Sequence, residues 1–327
     1  MPALSLLICD DSSLARKQLV RALPADWDVQ ISQASQGRQA LERLRQGGID
    51  LLLLDLTMDE MDGFQVLQAL RDEAFRCPVI VVSADIQEEA VRRVLDLGAL
   101  AFLKKPVDPV QLRQTLVSHD LIDARLGLAG RTSDHPIAFR EAFAEVVNVG
   151  MGRAAALLAR VLGVYVQLPI PNVNVLEVGE LQMALEDAAR GDKVTAVCQG
   201  YIGSGIAGEA LLIFHDSEID DMARLMRLDR YEDMEMLLDL SSLLISACLS
   251  GIAEQIDVVF SQGHPQVLGQ RAAISELIQV NRQRWKKTLA VEISYSLEGH
   301  DVHFDLLLLF TEDSVALLSR KLTYLMS

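Results

Sequence analysis

The chain has 327 residues, of which 50% are hydrophobic and 5% aromatic, and its formal net charge is -16. This length exceeds the usual size of a single hydrophobic core, so we expect two domains. The negative charge disfavours a nucleic-acid partner or an anionic membrane surface, because both are bound through clustered Lys and Arg. We also see no apolar run near the ~20 residues of a membrane span.

The four cysteines are scattered along the chain and show no C-x-x-C pairing. Cys9, Cys77, Cys198 and Cys248 lie in apolar stretches, which is typical of buried free thiols in a reducing compartment. The sequence therefore predicts a cytoplasmic protein.

The first third of the chain alternates apolar runs with helical patterns. Apolar residues recur at helical spacing in five segments, 11–23, 36–47, 63–74, 87–98 and 108–119. The runs between them have the length of strands. Strands joined by right-handed helical crossovers predict an α/β fold with a doubly wound, five-stranded parallel sheet.

Polar side chains stand where these apolar runs end. Asp10 and Asp11 end the first run, Asp55 follows a later one, and Ser83 and Lys105 end two more. Such strand ends meet at the edge where α/β proteins bind ligands. Carboxylates are ligands that Mg²⁺ prefers, and a carboxylate can attack a phosphoryl donor. An amine and a hydroxyl can then bind phosphate oxygens, so the pattern predicts a phosphorylation site.

With this set of residues, the N-terminal part resembles the response-regulator receiver domain, the CheY-like fold, which we place at residues 1–122. The resemblance implies that Asp55 is the phosphoacceptor for a histidine kinase and that Asp10, Asp11 and Asp55 hold Mg²⁺. It further implies that Ser83 is the switch hydroxyl, Lys105 the phosphate-binding lysine and Phe102 the rotameric aromatic. Lys105 precedes Pro106, and such a bond can be cis.

A different kind of domain follows a polar, Gly- and Pro-containing segment, which we interpret as a linker at residues 123–136. Residues 137–327 read twice as a long helix followed by strands, with the helices at 137–163 and 233–256. This repetition predicts an α+β domain with a pseudo-twofold repeat. Small residues in both helices, including Gly150 and Gly251, would let the two backbones approach closely.

Glu145 and Asn148 stand three residues apart on the first long helix, and therefore on one face, with Glu141 one turn earlier. The surrounding sequence resembles the CheC, CheX and FliY family of chemotaxis phosphatases, whose signature is Asp or Ser, three residues, Glu, two residues, Asn. The resemblance implies that Glu145 and Asn148 dephosphorylate a phosphorylated CheY-like receiver. Glu141 departs from the signature at its first position.

The second long helix carries a weaker version of this pair. Asp239 and Ser242 stand ninety-four positions after Glu145 and Asn148. Asp is shorter than Glu, and a hydroxyl reaches less far than a carboxamide, so we expect this second site to be degenerate and inactive.

Two functions remain open from the sequence. The first is a signalling phosphatase whose receiver, phosphorylated on Asp55, regulates hydrolysis of another CheY-like protein's aspartyl phosphate. The second is a non-catalytic adaptor or phosphate sink that only docks a partner. Hydrolysis of the chain's own Asp55 phosphate is a third possibility, for which the sequence shows no dedicated residue. Action on another molecule requires Asn148 to be reachable from outside, and a homodimer is neither indicated nor excluded.

Overall fold

The computed structural model describes residues 4–25, 27–122, 138–176, 194–226, 233–272 and 288–326. Contacts divide the chain into two compact units, one formed by Met1–Glu145 with Leu325–Ser327 and the other by Val146–Tyr324. The linker predicted at 123–136 lies outside the described residues. The predicted domain bounds therefore stay a prediction.

The first unit contains a five-stranded parallel sheet with the strand order β2-β1-β3-β4-β5. Its strands are β1 (Leu4–Cys9), β2 (Val29–Ala34), β3 (Leu51–Leu54), β4 (Val79–Ser83) and β5 (Ala101–Lys104). The helices between and after them are α1 (Ser13–Ala22), α2 (Gly37–Gln46), α3 (Gly63–Asp72), α4 (Glu88–Asp96) and α5 (Pro109–Ser118). The predicted doubly wound α/β fold is confirmed.

The interior strands β3 and β4 differ from the edge strand β2 in their burial. Every residue of β3 and of β4 is buried, whereas the edge strand β2 is mostly part-exposed. Helices on both faces of a parallel sheet explain why these strands read as continuous apolar runs instead of alternating. The carboxyl ends of the strands are consequently held in fixed positions along one edge of the sheet.

Close packing at the start of α3 fixes the loop after β3. A Cβ atom at Gly63 would lie 2.2 Å from the backbone oxygen of Asp55, so only glycine allows this approach. Asp62 accepts a hydrogen bond from the backbone N of Gln65 at 2.8 Å, and the Gln65 side chain accepts from the Asp62 backbone at 3.1 Å. This capping box satisfies amides of the first helical turn and so sets where α3 begins.

The first unit also includes the beginning of a longer helix, α6 (Phe139–Leu162), because the unit extends to Glu145. Leu14 of α1 and Ala142 of α6 are fully buried and pack together with Leu325. Burial of these apolar side chains stabilises the contact between α1 and the first two turns of α6.

Within its described residues, the second unit is built on an eight-stranded antiparallel sheet. After α6 its elements are β6 (Val166–Gln167), β7 (Asn172–Leu176), β8 (Val194–Gly203), β9 (Ile206–His215), a 3-10 turn (Asp216–Glu218), α7 (Ile219–Leu225) and α8 (Asp233–Gln255). The other elements in the described part of this unit are β10 (Ser261–Gln262), β11 (Gln266–Ala272), β12 (Thr288–Leu297), β13 (His303–Thr311) and α9 (Glu312–Met326).

The strand order of this sheet is symmetric. It runs β10-β8-β9-β13-β12-β6, with β11 also pairing with β8 and β7 with β12. Exchanging β6 with β10, β7 with β11, β8 with β12 and β9 with β13 reproduces the same order. The short strands of each half thus pair with the long hairpin of the other half, which confirms the predicted pseudo-twofold repeat.

Three pairs of equivalent elements in the two halves begin at the same spacing along the chain. α6 and α8 begin at residues 139 and 233, β7 and β11 at 172 and 266, and β8 and β12 at 194 and 288, each pair ninety-four residues apart. This spacing is the one that relates Glu145 to Asp239 and Asn148 to Ser242. The elements of the fold therefore support that alignment.

Helices α6 and α8 approach closely where glycine occupies both. A Cβ at Gly150 would lie 2.6 Å from the backbone oxygen of Cys248, and a Cβ at Gly251 would lie 2.6 Å from the Cα of Gly150. The predicted close approach at small residues is confirmed at these two positions, because any side chain there would displace backbone atoms.

Both long helices are apolar and long enough to meet a composition test for a membrane span, contrary to the expectation that no run approaches that length. Small and weakly polar residues interrupt the apolar runs but leave the mean hydropathy of both helices high. The most apolar stretches of the two helices are 78% and 61% buried inside the protein. This is weak evidence for a membrane, since core helices share these properties.

Candidate functional site

The predicted site residues of the first unit follow neighbouring strands of its sheet. Asp10 comes directly after β1, Asp55 directly after β3 and Lys105 directly after β5, while Ser83 is the last residue of β4. The parallel order β1-β3-β4-β5 brings these strand ends to one edge. The Lys105–Pro106 peptide bond is cis.

The ammonium group of Lys105 lies among three carboxylates. Its Nζ is 2.8 Å from Asp10 Oδ2, 3.1 Å from Asp55 Oδ2 and 3.2 Å from Glu145 Oε1. All four side chains are at most 4% exposed. The other oxygen of Asp55, Oδ1, accepts a hydrogen bond from the backbone N of Leu56 at 2.8 Å. Charge pairing this well shielded from water is strong, because screening is weak in the interior.

Burial and crowding of like charges perturb the acids of this cluster. Removal from water raises the pKa of Asp10 well above its usual range, and the charge of Lys105 only partly opposes this effect. Burial likewise raises the pKa of Asp55, again against the pull of Lys105. Burial, with the nearby charge of Asp55, raises the pKa of Asp11 to about 7. Lys105 alone therefore does not restore the ionised form of these acids to its usual stability, and a further positive charge would favour it.

The three aspartates are placed to hold a divalent cation. One carboxylate oxygen from each of Asp10, Asp11 and Asp55 lies within 4.8 Å of the other two. Oxygens bound to one Mg²⁺ at about 2.1 Å stand up to about 4.2 Å apart, so small side-chain adjustments suffice. A hard cation suits an all-oxygen, negatively charged donor set, and these residues fit Mg²⁺.

One basic residue that the sequence reasoning missed shapes this loop. Arg16 Nη1 donates to the backbone oxygens of Asp10 at 2.7 Å and Asp11 at 3.1 Å. It thereby fixes the backbone that carries two of the acids. Its position one turn into α1, just after the acidic pair, was the available signal, since such an arginine can reach back to the preceding loop.

The other residues predicted for this site lie on or beside the same edge. Ser83 is fully buried, and its Oγ accepts from the backbone N of Asp85 at 3.2 Å. The carboxylate of Asp85 is itself bound by the backbone and side chain of Gln87 at 3.2 and 3.0 Å. Phe102 lies in β5 and is partly exposed. Because Oγ acts only as an acceptor in this contact, its own O–H can donate to a phosphate oxygen.

Two acids of α6 contact the loops of this edge. Glu145 pairs with Lys105, as described above, and Glu141 Oε1 accepts from the backbone N of Ser13 at 2.8 Å. All four residues belong to the first unit. The family resemblance places Glu145 in a site that acts on a separate receiver, whereas the lysine that it contacts in this structure is the chain's own Lys105.

Asn148 lies three residues further along α6, in the second unit. It is 7% exposed, and its Oδ1 has no hydrogen-bond partner among the described residues. The condition that Asn148 be reachable from outside is therefore not met in this arrangement. A buried, unpartnered carboxamide oxygen is costly unless a ligand or water engages it, so this atom is available to bind one.

The equivalent positions on α8 differ in their surroundings. Asp239 is exposed and Ser242 is partly exposed, whereas Glu145 and Asn148 are buried. The prediction that this second site is degenerate rests on side-chain length alone. It stays a prediction.

Residues 6–117 match the family model of the response regulator receiver domain. This segment of the chain is a receiver domain, as the strand-end residues indicated. The match covers about a third of the 327 residues and leaves the second unit outside it.

Among curated proteins, the chain is 30% identical over 167 residues to the transcriptional regulatory protein ZraR of Escherichia coli O157:H7. The alignment covers 47% of this chain and 37% of ZraR, so the chain spans well under half of that relative's length.

Two solved structures are similar to parts of the chain. One is a chain of the CheX-CheY-BeF3-Mg complex from Borrelia burgdorferi, at 30% identity and a TM-score of 0.34, covering 36% of this chain and 90% of that one. The other is FliY from Thermotoga maritima, at 15% identity and a TM-score of 0.42, covering 59% of this chain and 99% of that one.

Proposed function

We propose that the chain is a cytoplasmic two-component signalling phosphatase. In this proposal a histidine kinase phosphorylates Asp55, and α6 hydrolyses the aspartyl phosphate of a CheY-like response regulator. The observation that carries it is the 3.2 Å contact between Glu145 and Lys105. This contact supports the proposal because Glu145, the acid of the Glu-x-x-Asn pair on α6, is able to pair with a receiver's phosphate-binding lysine.

The environment of Asp55 suits phosphoryl transfer. Its carboxylate is the nucleophile, and hydrogen bonds from Lys105 and the Leu56 backbone hold its two oxygens in place. Mg²⁺, held by Asp10, Asp11 and Asp55, would neutralise charge where the phosphoryl group meets these acids. Lys105 then binds a phosphate oxygen, and the Ser83 hydroxyl can bind another.

The phosphatase step needs only two side chains from α6. Glu145 holds the receiver's lysine and so sets the register of docking. The carboxamide of Asn148 binds a water molecule and orients it in line with phosphorus, which lowers the entropic part of the barrier. A phosphorylated receiver supplies its own metal, so α6 needs neither a metal nor a strong base.

Access to the pair is the controlling step for another molecule's phosphate. Glu145 is bound to Lys105, Glu141 is bound to the backbone of Ser13, and Asn148 is buried. A second receiver can use Glu145 and Asn148 only after both contacts open and Asn148 becomes accessible. Phosphorylation of Asp55 changes what Lys105 and Ser83 bind and reorients Phe102, so it is positioned to control this opening. The direction of control is an outcome of the experiment below.

Phosphate release from a separate phosphorylated CheY-like receiver tests the proposal. The chain should release many phosphates per molecule, and Asn148→Ala should abolish release while leaving binding intact. The assay is run with and without beryllofluoride, which mimics the phosphoryl group on Asp55. Equal clearance of the receiver by Asn148→Ala and by the parent chain would refute the proposed role of Asn148, and rates unaffected by beryllofluoride would refute regulation.

A non-catalytic adaptor or phosphate sink is the second candidate. The Asp239 and Ser242 pair favours it, because one α helix of the repeat has already lost the E-x-x-N residues. In that case Asp55 accepts phosphoryl groups from the histidine kinase and so withdraws them from other receivers, while the second unit only docks a partner. Counting turnovers separates the two functions, since release limited to one phosphate per chain fits only the sink.

A further inference from the structure

Three contacts join the first two turns of α6 to α1 and to the sheet edge that carries Asp55 in the same chain. Glu145 pairs with Lys105 at 3.2 Å, Glu141 accepts from the Ser13 backbone at 2.8 Å, and Ala142 packs on Leu14. One is ionic, one is a hydrogen bond to backbone and one is apolar. All lie within the first unit, which runs to Glu145.

Stability alone does not explain where Glu145 lies. Lys105 already has Asp10 and Asp55 as partners, so a third buried carboxylate adds repulsion and loses its own hydration. Buried charges of this kind rarely repay their desolvation, and an exposed position would cost nothing. The position of Glu145 is explained if the contact with Lys105 serves the reaction.

We infer that the aspartyl phosphate on Asp55 of the same chain is a substrate of its own α6 pair, so that the receiver limits the lifetime of its own phosphorylated state. This inference rests on the proposed phosphatase function and names a second substrate for it. Glu145 holds Lys105 of its own receiver, and Asn148, one turn further along the same helix, orients the water.

The reaction balances without any further reagent. The water oxygen forms a bond to phosphorus while the bond between phosphorus and the Asp55 carboxylate oxygen breaks. The bonding electrons leave with the Asp55 carboxylate, which returns to its ionised form. Both water protons stay on the product, dihydrogenphosphate, which then equilibrates with solvent.

The experiment follows phosphate on the full-length chain and three variants. Each is phosphorylated with acetyl phosphate and Mg²⁺, the donor is removed, and the decay of phospho-Asp55 is measured at several protein concentrations. Asn148→Ala should slow the decay roughly 10²-fold, the cost expected when a reacting water loses its orientation. Glu145→Gln, which keeps the shape and removes the charge, should also slow it, whereas Asn174→Ala, an unrelated asparagine of β7, should not.

Mixing two variants shows whether the reaction is intramolecular. Phosphorylated Asn148→Ala is combined with excess Asp55→Asn, which keeps α6 intact but accepts no phosphate. The expected decay is as slow as for Asn148→Ala alone, and the parent chain should decay with a rate constant independent of concentration. Acceleration by Asp55→Asn would overturn the inference by showing hydrolysis between molecules, and equal decay of parent and Asn148→Ala would overturn it outright.

A separate phosphorylated CheY-like receiver, added to Asp55→Asn, distinguishes this inference from the proposed function. Suppose that the separate receiver is turned over, and that Asn148→Ala leaves the lifetime of phospho-Asp55 in the chain itself unchanged. This result supports the proposed function and overturns the inference. Self-hydrolysis that depends on Asn148, without turnover of the separate receiver, supports the inference and overturns hydrolysis of a second molecule.

Discussion

Replacing Lys105 by Met should strongly destabilise the first unit at neutral pH in the absence of divalent cations. The substitution keeps a long unbranched side chain and removes the charge that faces Asp10, Asp55 and Glu145. At an effective dielectric constant of about 20, each contact near 3 Å contributes roughly 5 kcal/mol of attraction. Desolvation and repulsion among the acids offset most of this, leaving an expected net loss of about 3–5 kcal/mol.

The loss should depend on pH in a direction that burial of the acids fixes. Without Lys105 the folded-state pKa values of Asp10 and Asp55 rise further above their unfolded values near 4. The penalty is therefore largest above those folded-state pKa values and shrinks as pH falls toward the unfolded values. Wild type and Lys105→Met should differ more at pH 8 than at pH 5.

Urea unfolding followed by tryptophan fluorescence measures this difference. The chain has two tryptophans, so in a Trp285→Phe background the buried Trp27 reports on the first unit alone. Lys104→Met is the matched control, since Lys104 is exposed and adjacent in sequence. A loss no larger than that of Lys104→Met, or a gap that stays equal at pH 5 and pH 8, would show that the three contacts do not carry the stability.

Three other substitutions have expected outcomes. Asp11→Asn should stabilise the metal-free protein by about 2–4 kcal/mol at pH 8, because a folded-state pKa of about 7 makes the wild type lose stability as pH rises from about 4 to 7. The same substitution should weaken Mg²⁺ binding, because it removes a charged ligand. Thermal unfolding across pH and Mg²⁺ titration measure the two effects, and an equal pH dependence of stability in the variant would contradict the first. Gly251→Ala should lose about 1–3 kcal/mol in urea unfolding, because the new methyl group meets Gly150 Cα, while Ser250→Ala on the exposed side should lose none. Ser242→Ala should leave phosphate release from a CheY-like receiver unchanged, and a loss comparable to that of Asn148→Ala would mean the second site is active.

Much of the first unit follows from local sequence. Continuous apolar runs predict buried parallel strands, helical spacing predicts the crossovers, and together they predict that Asp10, Asp55 and Lys105 meet at one edge. Chain connectivity is sufficient here, because a right-handed crossover leaves few alternatives for strand placement. The capping box at Asp62 matches a short motif, D-x-x-Q, whereas the close approach at Gly63 is visible only in the structure.

The second unit was less predictable in its pairing than in its elements. The sequence repeat indicates two equivalent halves, but nothing local to β7 or β11 says that each pairs with the hairpin of the other half. Strand partners are chosen by side-chain packing across the whole sheet, which short segments do not encode. The membrane-length apolar helices illustrate the same limit, since only packing shows that they are largely buried.

The sequence by itself determined which atoms the site contains: carboxylates and a lysine at strand ends, and an acid and an amide one helical turn apart. Only the tertiary structure decided which charges face each other. Glu145 could pair with the lysine of any receiver, and its contact with Lys105 depends on where α6 begins against α1, a packing choice made by residues far apart in the chain. Local patterns fix the chemistry of single side chains, whereas their partners depend on contacts between distant segments, whose energies are summed only in the folded protein.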